Sequence, residues 1–260
     1  MMKKLTALLL SVLMLVSLCA CTGDGKYCVV KSLDELQYSI VLRNGDSSYH
    51  YINAALQELE SDGRIDALAQ DWFGDSDAVD FPSGNNRVKD FEYIEPREFT
   101  IGIDLDSFPM CFEENGVYTG FDVVLAQEVC DKLGWQLRVQ PIRTEDVFVE
   151  LNSGNIDCAW GGIAADLSSA DYTILTTYMT TDAVIARLSS GRGTLSGGVL
   201  YMSSAKTLQA ILDANERSKN KLGQIPRAQG TMQELFNSMA NGDCDFVLTT
   251  EAAVYYNNHH

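Results

Sequence analysis

The sequence predicts an α/β fold, a parallel sheet with covering helices, and three observations carry that prediction. Strand-like and helix-like segments alternate over 99–160. The same rhythm returns over 183–249. Two further helical segments, near 52–59 and 65–72, are joined by Asp62-Gly63. Alternation of this kind is the signature of βαβ units, whose strands lie side by side under their crossover helices.

Phe99, Ile101 and Ile103 alternate as on a half-buried strand. Phe121, Leu125, Val129 and Leu133 recur every four residues, with Val124 beside them, and form one apolar helix face that Gly134 stops. Leu137 and Val139 alternate again. A helical stretch through Val147 and Leu151 ends at Ser153-Gly154, and IDCAW, 156–160, reads as a short buried strand. In the second half, Ala183–Leu188 is a strand, and the Gly/Ser-rich stretch 189–198 is a connection. Val199–Met202 is a strand and Ala205–Asn215 a helix. Met232, Leu235, Phe236 and Met239 share a helix face that ends at Asn241-Gly242, and Asp245–Thr249 is the last strand. At the front, Ile52, Ala55, Leu56 and Leu59 form one helix face, and Ile65, Leu68, Ala69 and Trp72 another. Residues 74–97 have no period and carry Gly, Asn and Pro, as a linker does.

The first twenty residues read as an address. Lys3 and Lys4 precede the apolar run LTALLLSVLMLVSL, and LCAC then sets Cys21 behind a small residue. This resembles a bacterial lipobox, which implies cleavage before Cys21 and lipid on its sulfur. The run falls short of the roughly 20 residues a spanning helix needs, so a lipid-anchored extracytoplasmic protein is expected rather than a transmembrane one.

The chain holds 36 acidic and 19 basic residues, for a net charge of −17. Nucleic acid and anionic headgroups repel such a surface, and neither is expected as a partner. Cys28, Cys111, Cys130, Cys158 and Cys244 remain after Cys19 and Cys21. They form no CxxC pair and lie away from His50, His259 and His260, so no metal site and no cofactor are expected. Small buried hydrophobes are the better reading of these thiols. One disulfide is compatible with the count, with no pairing defined.

Residues 99–179 run FTIGIDLDSFPMCFEENGVYTGFDVVLAQEVCDKLGW, then LNSGNIDCAWGG, then YTILTTYM. This stretch resembles the first lobe of the extracellular solute-binding proteins of ABC importers, in the polar amino-acid family. That family closes with a strand, an Arg/Lys-Gly-Asp turn, a long helical stretch and Trp-Phe-Gly. The matching segment here is YSIVLRNGDSSYHYINAALQELESDGRIDALAQDWFGD, 38–75, near the start of the chain. CDFVLTTEAAVYYN stands at the far end, where the family crosses back into that ending. The resemblance implies a two-lobe, periplasmic-binding-protein-like type II fold, circularly permuted. One lobe comprises 38–73 and 98–187, and the other 27–37 and 188–258. Residues 74–97 join the old ends, which lie close together on many compact domains.

In this family two α/β lobes close over a small ligand at the carboxyl ends of strands. The resemblance implies four contact regions. Asp104 occupies an acidic position of an Asp-x-x-x-x-Pro pattern, with Phe108 or Phe112 lining the cavity. Trp160 and Gly162 keep a Trp-x-Gly turn, but the hydroxyl expected two residues later is Ala164. The arginine expected beyond it is Ser168, or Ser169 if the alignment slips by one. Ser203 and Ser204 match a carboxylate-binding turn. Thr250 stands where relatives place an ammonium-binding aspartate, with Glu251 beside it. Serine cannot replace a bidentate guanidinium, and a buried unpaired carboxylate costs several kcal/mol. Weak binding of ordinary α-amino acids is therefore expected, with Arg187 and Arg192 the nearest substitute cations. The leading expectation is a monomeric, lipid-anchored binding protein that delivers a small polar solute, amino-acid-like or amine, to an ABC permease. A sensor or degenerate binder without transport is the alternative. A dehydratase-like enzyme on the same fold is the third class, and no proton-transfer pair in the sequence supports it.

Overall fold

The structure is a computed structural model that describes residues 25–191, 194–226 and 230–260. The lipobox, Cys21 and Arg192 lie outside the described residues. The chain opens with β1 (Tyr27–Leu42), α1 (Ser48–Ser61) and α2 (Arg64–Phe73), then passes through 74–97 to β2 (Glu98–Ile103). The hairpin β3 (Phe112–Glu114) and β4 (Val117–Thr119) leads to α3 (Phe121–Leu133), β5 (Gln136–Pro141), α4 (Val147–Ser153) and β6 (Cys158–Ala159). After β7 (Thr173–Leu188) come β8 (Leu200–Met202), α5 (Lys206–Ala214), α6 (Glu216–Lys219), α7 (Met232–Asn241), β9 (Phe246–Thr250) and α8 (Glu251–His259).

Seven strands form one sheet in the order β5-β2-β6-β1-β7-β9-β8. β2 is parallel to β5 and β6, and β8 is parallel to β9. β1 and β7 run antiparallel at the centre, in register from Tyr27 opposite Leu188 to Leu42 opposite Thr173. Each of these two strands is 16 residues long, roughly 50 Å at the rise of a strand. That is longer than one hydrophobic core, and the burial divides accordingly. Tyr38, Ile40 and Leu42 of β1, with Tyr178 and Met179 of β7, pack in a core with α1, α2, α3 and β2. Tyr27 and Leu36 of β1, with Ala183–Ala186 of β7, pack in a second core with α7, β8 and β9. A smaller cluster of Val41, Val147, Leu151 and Ile163 fills the space beneath α4.

The helix faces read from the sequence are the buried ones. Leu125, Val129 and Leu133 of α3 and Ile52, Leu56 and Leu59 of α1 meet in the first core. Gly134 ends α3 at φ 68°, a left-handed position that glycine adopts without Cβ strain. Thr231 and Glu234 close a reciprocal capping box at the start of α7.

Three segments differ from expectation. The stretch 27–37 was assigned to the second lobe without a secondary structure of its own, and Lys31, Asp34 and Glu35 in it are poor strand formers. It nevertheless pairs with β7, and register shifts at Val29/Lys31 and Ser32/Asp34 absorb the mismatch. The strand expected over Ala183–Leu188 is the final third of β7. Residues 74–97 contain two single-turn helices and are anchored to the first core. Phe81 is 3 % exposed and stacks on Tyr178 at 5.1 Å. Cys28, Cys111, Cys130, Cys158 and Cys244 are all buried, and among the described residues no two of them form a disulfide.

Candidate functional site

A cavity of about 120 Å³ opens where the C-terminal end of β2 faces the start of α5. Asp104, Asp106, Ser107 and Gly162 line it from the side of the first core, and Ser204 and Lys206 from the side of the second. Tyr38 and Leu36, where β1 passes between the two cores, also line it.

The wall on the first side is held by hydrogen bonds within that side. Asp104 follows β2 directly, and its N–H donates to the Gly161 carbonyl at 2.9 Å. Its Oδ2 accepts from the Thr144 hydroxyl at 2.7 Å and the Thr144 N–H at 3.1 Å, and its Oδ1 accepts from the Asp106 N–H. Ser107 donates to the Gly162 carbonyl at 2.7 Å. Gly162 has φ +64°, and a Cβ there would stand 2.0 Å from the Ser107 Cβ, so the turn requires glycine.

Behind this turn lies a buried carboxyl. Asp122, in the first turn of α3, is 0 % exposed. Its Oδ2 accepts from the Gly162 N–H at 2.7 Å and from the Tyr178 hydroxyl at 2.6 Å. Burial pushes its pKa up to about 7, opposed by the Tyr178 and Gly162 hydrogen bonds and more weakly by the Trp160 indole. Burial likewise raises the Tyr38 phenol and the Cys111 thiol beside it.

The two sides meet through few polar contacts. Ser204 donates to Asp106 Oδ2 at 3.2 Å, and Lys206 Nζ lies 2.5 Å from Glu145 Oε1. Arg143 approaches the same Glu145 at 3.9 Å. Burial and the neighbouring Asp104 raise the Asp106 pKa, while Ser204, Ser203 and Arg143 act against the rise. Lys206 holds the Glu145 carboxyl below its usual value. The cavity therefore has an acidic floor of two adjacent carboxylates and a cationic mouth of Arg143 and Lys206 gathered on Glu145.

The residues singled out by sequence are distributed unevenly around this cavity. Asp104, Gly162, Ser204 and Thr250 line it. The Thr250 hydroxyl accepts the Ala253 N–H and so also caps α8. Trp160 is fully buried in the first core and supports the turn from behind. Ser203 is buried, and its hydroxyl accepts the Ala205 N–H. Ser168 is exposed and bonded to Asp166, outside the lining. Glu251 lines a different hollow, beside Glu35 and Asp182. Arg187 sits on β7 opposite Cys28, also outside the lining.

Phe108 and Phe112 are elsewhere again. Phe108 is 3 % exposed and belongs to the second core, against Phe112 at 4.9 Å and Tyr256 at 5.1 Å. These rings bound a second cavity of about 360 Å³. Asp106, Arg143 and Lys206 were not singled out by sequence, although Asp106 and Lys206 lie in the loops expected at the cavity. Asp106 is two residues from Asp104 on the same loop, which was the available signal. Arg143 and Lys206 reach the cavity only through the packing of β5 and α5.

Among the described residues no helix is long and apolar enough to cross a membrane, and no group of three His, Cys, Asp or Glu side chains could hold a metal ion. Residues 99–242 match the profile of the bacterial extracellular solute-binding proteins, family 3. No curated protein matches the chain. Among solved structures, an ABC uptake transporter substrate-binding protein from Streptococcus pneumoniae with bound histidine is similar at 26 % identity, over 61 % of this chain and 68 % of that one, with a TM-score of 0.45. A truncated, arginine-bound ArgBP from T. maritima is similar at 21 % identity, over 60 % and 74 %, with a TM-score of 0.42. An ancestral amino acid-binding protein described as a precursor of cyclohexadienyl dehydratase is similar at 21 % identity, over 61 % and 73 %, with a TM-score of 0.44.

Proposed function

Because the chain belongs to the bacterial extracellular solute-binding proteins, family 3, we propose that it captures a small cationic solute, an amine or amino-acid-like molecule, and delivers it to an ABC permease. In this reading the protein is a lipid-anchored monomer held at the outer face of the membrane through Cys21. Its binding lobes are circularly permuted, with 38–73 and 98–187 as one and 27–37 and 188–258 as the other, joined by 74–97.

The observation that carries the ligand class is the charge layout of the polar cavity. Asp104 and Asp106 stand together, and neither has a salt-bridge partner among the described residues, while Arg143 and Lys206 are both engaged with Glu145. Two adjacent carboxylates in a partly buried site favour a cation between them. Asp104 spends its oxygens on Thr144 and the Asp106 N–H, so Asp106 is the principal acceptor and Ser204 its partner across the gap. Arg143 and Lys206 favour a second reading, in which a ligand carboxylate joins them at the mouth and a zwitterion spans the cavity.

Calorimetry with matched pairs, such as arginine with agmatine and lysine with cadaverine, separates the readings. Binding by either member that weakens at least about tenfold in Asp106→Asn supports capture of a cationic solute. A further loss in Arg143→Ala confined to the amino acids identifies the zwitterion. Binding untouched by Asp106→Asn rejects the site.

A further inference from the structure

The second cavity is the larger of the two, and nothing in the proposed transport function uses it. It lies between the β3–β4 hairpin, the start of α7 and the last turns of α8, with Phe108, Phe112, Tyr256 and Met232 as its apolar wall. Its volume, about 360 Å³, is more than twice the roughly 150 Å³ of an apolar cavity that takes up benzene. The rings around it are already set at aromatic contact distances: Phe108–Tyr256 at 5.1 Å edge-on, and Trp72 stacked behind Tyr256 at 5.3 Å.

The charge at its mouth has one sign. Glu113 and Glu114 line it from β3, and no lysine or arginine does so among the described residues. Among the described residues His260 is the one lining side chain able to carry positive charge. Its ring is engaged with the Asp71 carbonyl and stacked on Tyr256. Neither glutamate has a salt-bridge partner among the described residues. Burial, and to a lesser degree Glu114, raises the Tyr256 phenol.

We propose that this cavity is a second ligand site, distinct from the polar one, that takes an arylalkyl amine with its ring among Phe108, Phe112 and Tyr256 and its ammonium against Glu113 and Glu114. Aromatic faces attract cations as well as apolar bodies, and the paired glutamates supply the charge that orients the ligand. Neutral and anionic aromatics of the same size lack that second contact. The aromatic wall belongs to the second core, and Leu105 adds an edge from the first.

The test is titration calorimetry of the full chain with phenethylamine, phenethyl alcohol and 3-phenylpropanoate. Glu113 and Glu114 are exposed, so the double variant Glu113→Gln/Glu114→Gln removes charge without disturbing a core. The proposal expects the amine to bind at least about tenfold more tightly than the alcohol, with the acid weakest. It expects the double variant to abolish that preference, and the preference to persist in Asp106→Asn, where amine capture by the polar cavity is itself weakened. Absence of amine binding up to about 1 mM, or equal binding of amine and alcohol, overturns the proposal. Loss of amine binding in Asp106→Asn but not in the double variant also overturns it, by placing the amine in the polar cavity.

Discussion

The polar cavity and the aromatic cavity lie between the same two cores and are built on opposite principles. The polar wall is fastened to one side. Asp104, Ser107 and Gly162 are bonded to Thr144 and to Asp122, all on the first core. Ser204–Asp106 and Lys206–Glu145 reach across this cavity as polar contacts. The aromatic cavity is built by reaching across: Phe108 leaves the end of β2 and buries itself in the second core. Polar walls hold their geometry before a ligand arrives because their hydrogen bonds are satisfied locally. Ring packing across a gap instead supplies the area that keeps the two cores together. Preorganised recognition and cohesion are thus assigned to different cavities.

Substitutions break this comparison in a definite order. Phe108→Ala has the largest expected effect, because the ring is nearly fully buried among Phe112, Tyr256 and the second core. Truncation costs about 3–5 kcal/mol, read as a lower midpoint in urea. A loss below about 1 kcal/mol would show that the rings do not hold the cores together. Gly162→Ala comes next. It forces a side chain into a left-handed turn and into Ser107, at a cost of about 1–3 kcal/mol. Ligand binding should fall by more than stability predicts, because the displaced groups line the polar cavity.

Asp122→Asn sharpens the polar half. The folded state holds the Asp122 proton up to about pH 7, whereas an unfolded carboxyl releases it near pH 4. The folded chain therefore binds more protons between those values, and stability from this group is greatest below about pH 4 and declines as pH rises to about 7. Denaturation midpoints of Asp122→Asn should lack that decline. An unchanged pH slope would place the proton elsewhere. Lys206→Met has the smallest expected effect. The lysine side chain is 68 % exposed, and exposed ion pairs contribute about 0.2–1 kcal/mol. Its removal should leave the urea midpoint nearly unchanged and act on ligand release.

Much of the fold was legible in local pattern. The faces of α1, α2, α3 and α7 follow from their apolar spacing, and Asp104 and Gly162 were placed at the cavity by the motif that contains them. β1 was harder. Lys31, Asp34 and Glu35 face outward on a strand whose pairing comes from β7, and no local signal encodes a partner more than a hundred residues away. The same limit hid Arg143. Alignment drew attention to Ser168 as the lost arginine, yet Ser168 faces away from the cavity. The cations arrive from β5 and α5 by tertiary packing. In the sequence Asp122 is one acidic residue in a first helical turn, a common position for a carboxylate. Its burial depends on Tyr178 and Gly162, which only the folded chain brings to it.

In the proposed function the solute is held in the polar cavity, with Asp106 as the main acceptor of its positive charge. A crystal structure of the protein with the tightest binder from the matched amino-acid and amine panel tests it most directly. The ligand's cationic group is expected within hydrogen-bond distance of Asp106, beside Ser204, with any carboxylate turned toward Arg143 and Lys206. A ligand seated among Phe108, Phe112 and Tyr256, or bound without contact to Asp106, would contradict it.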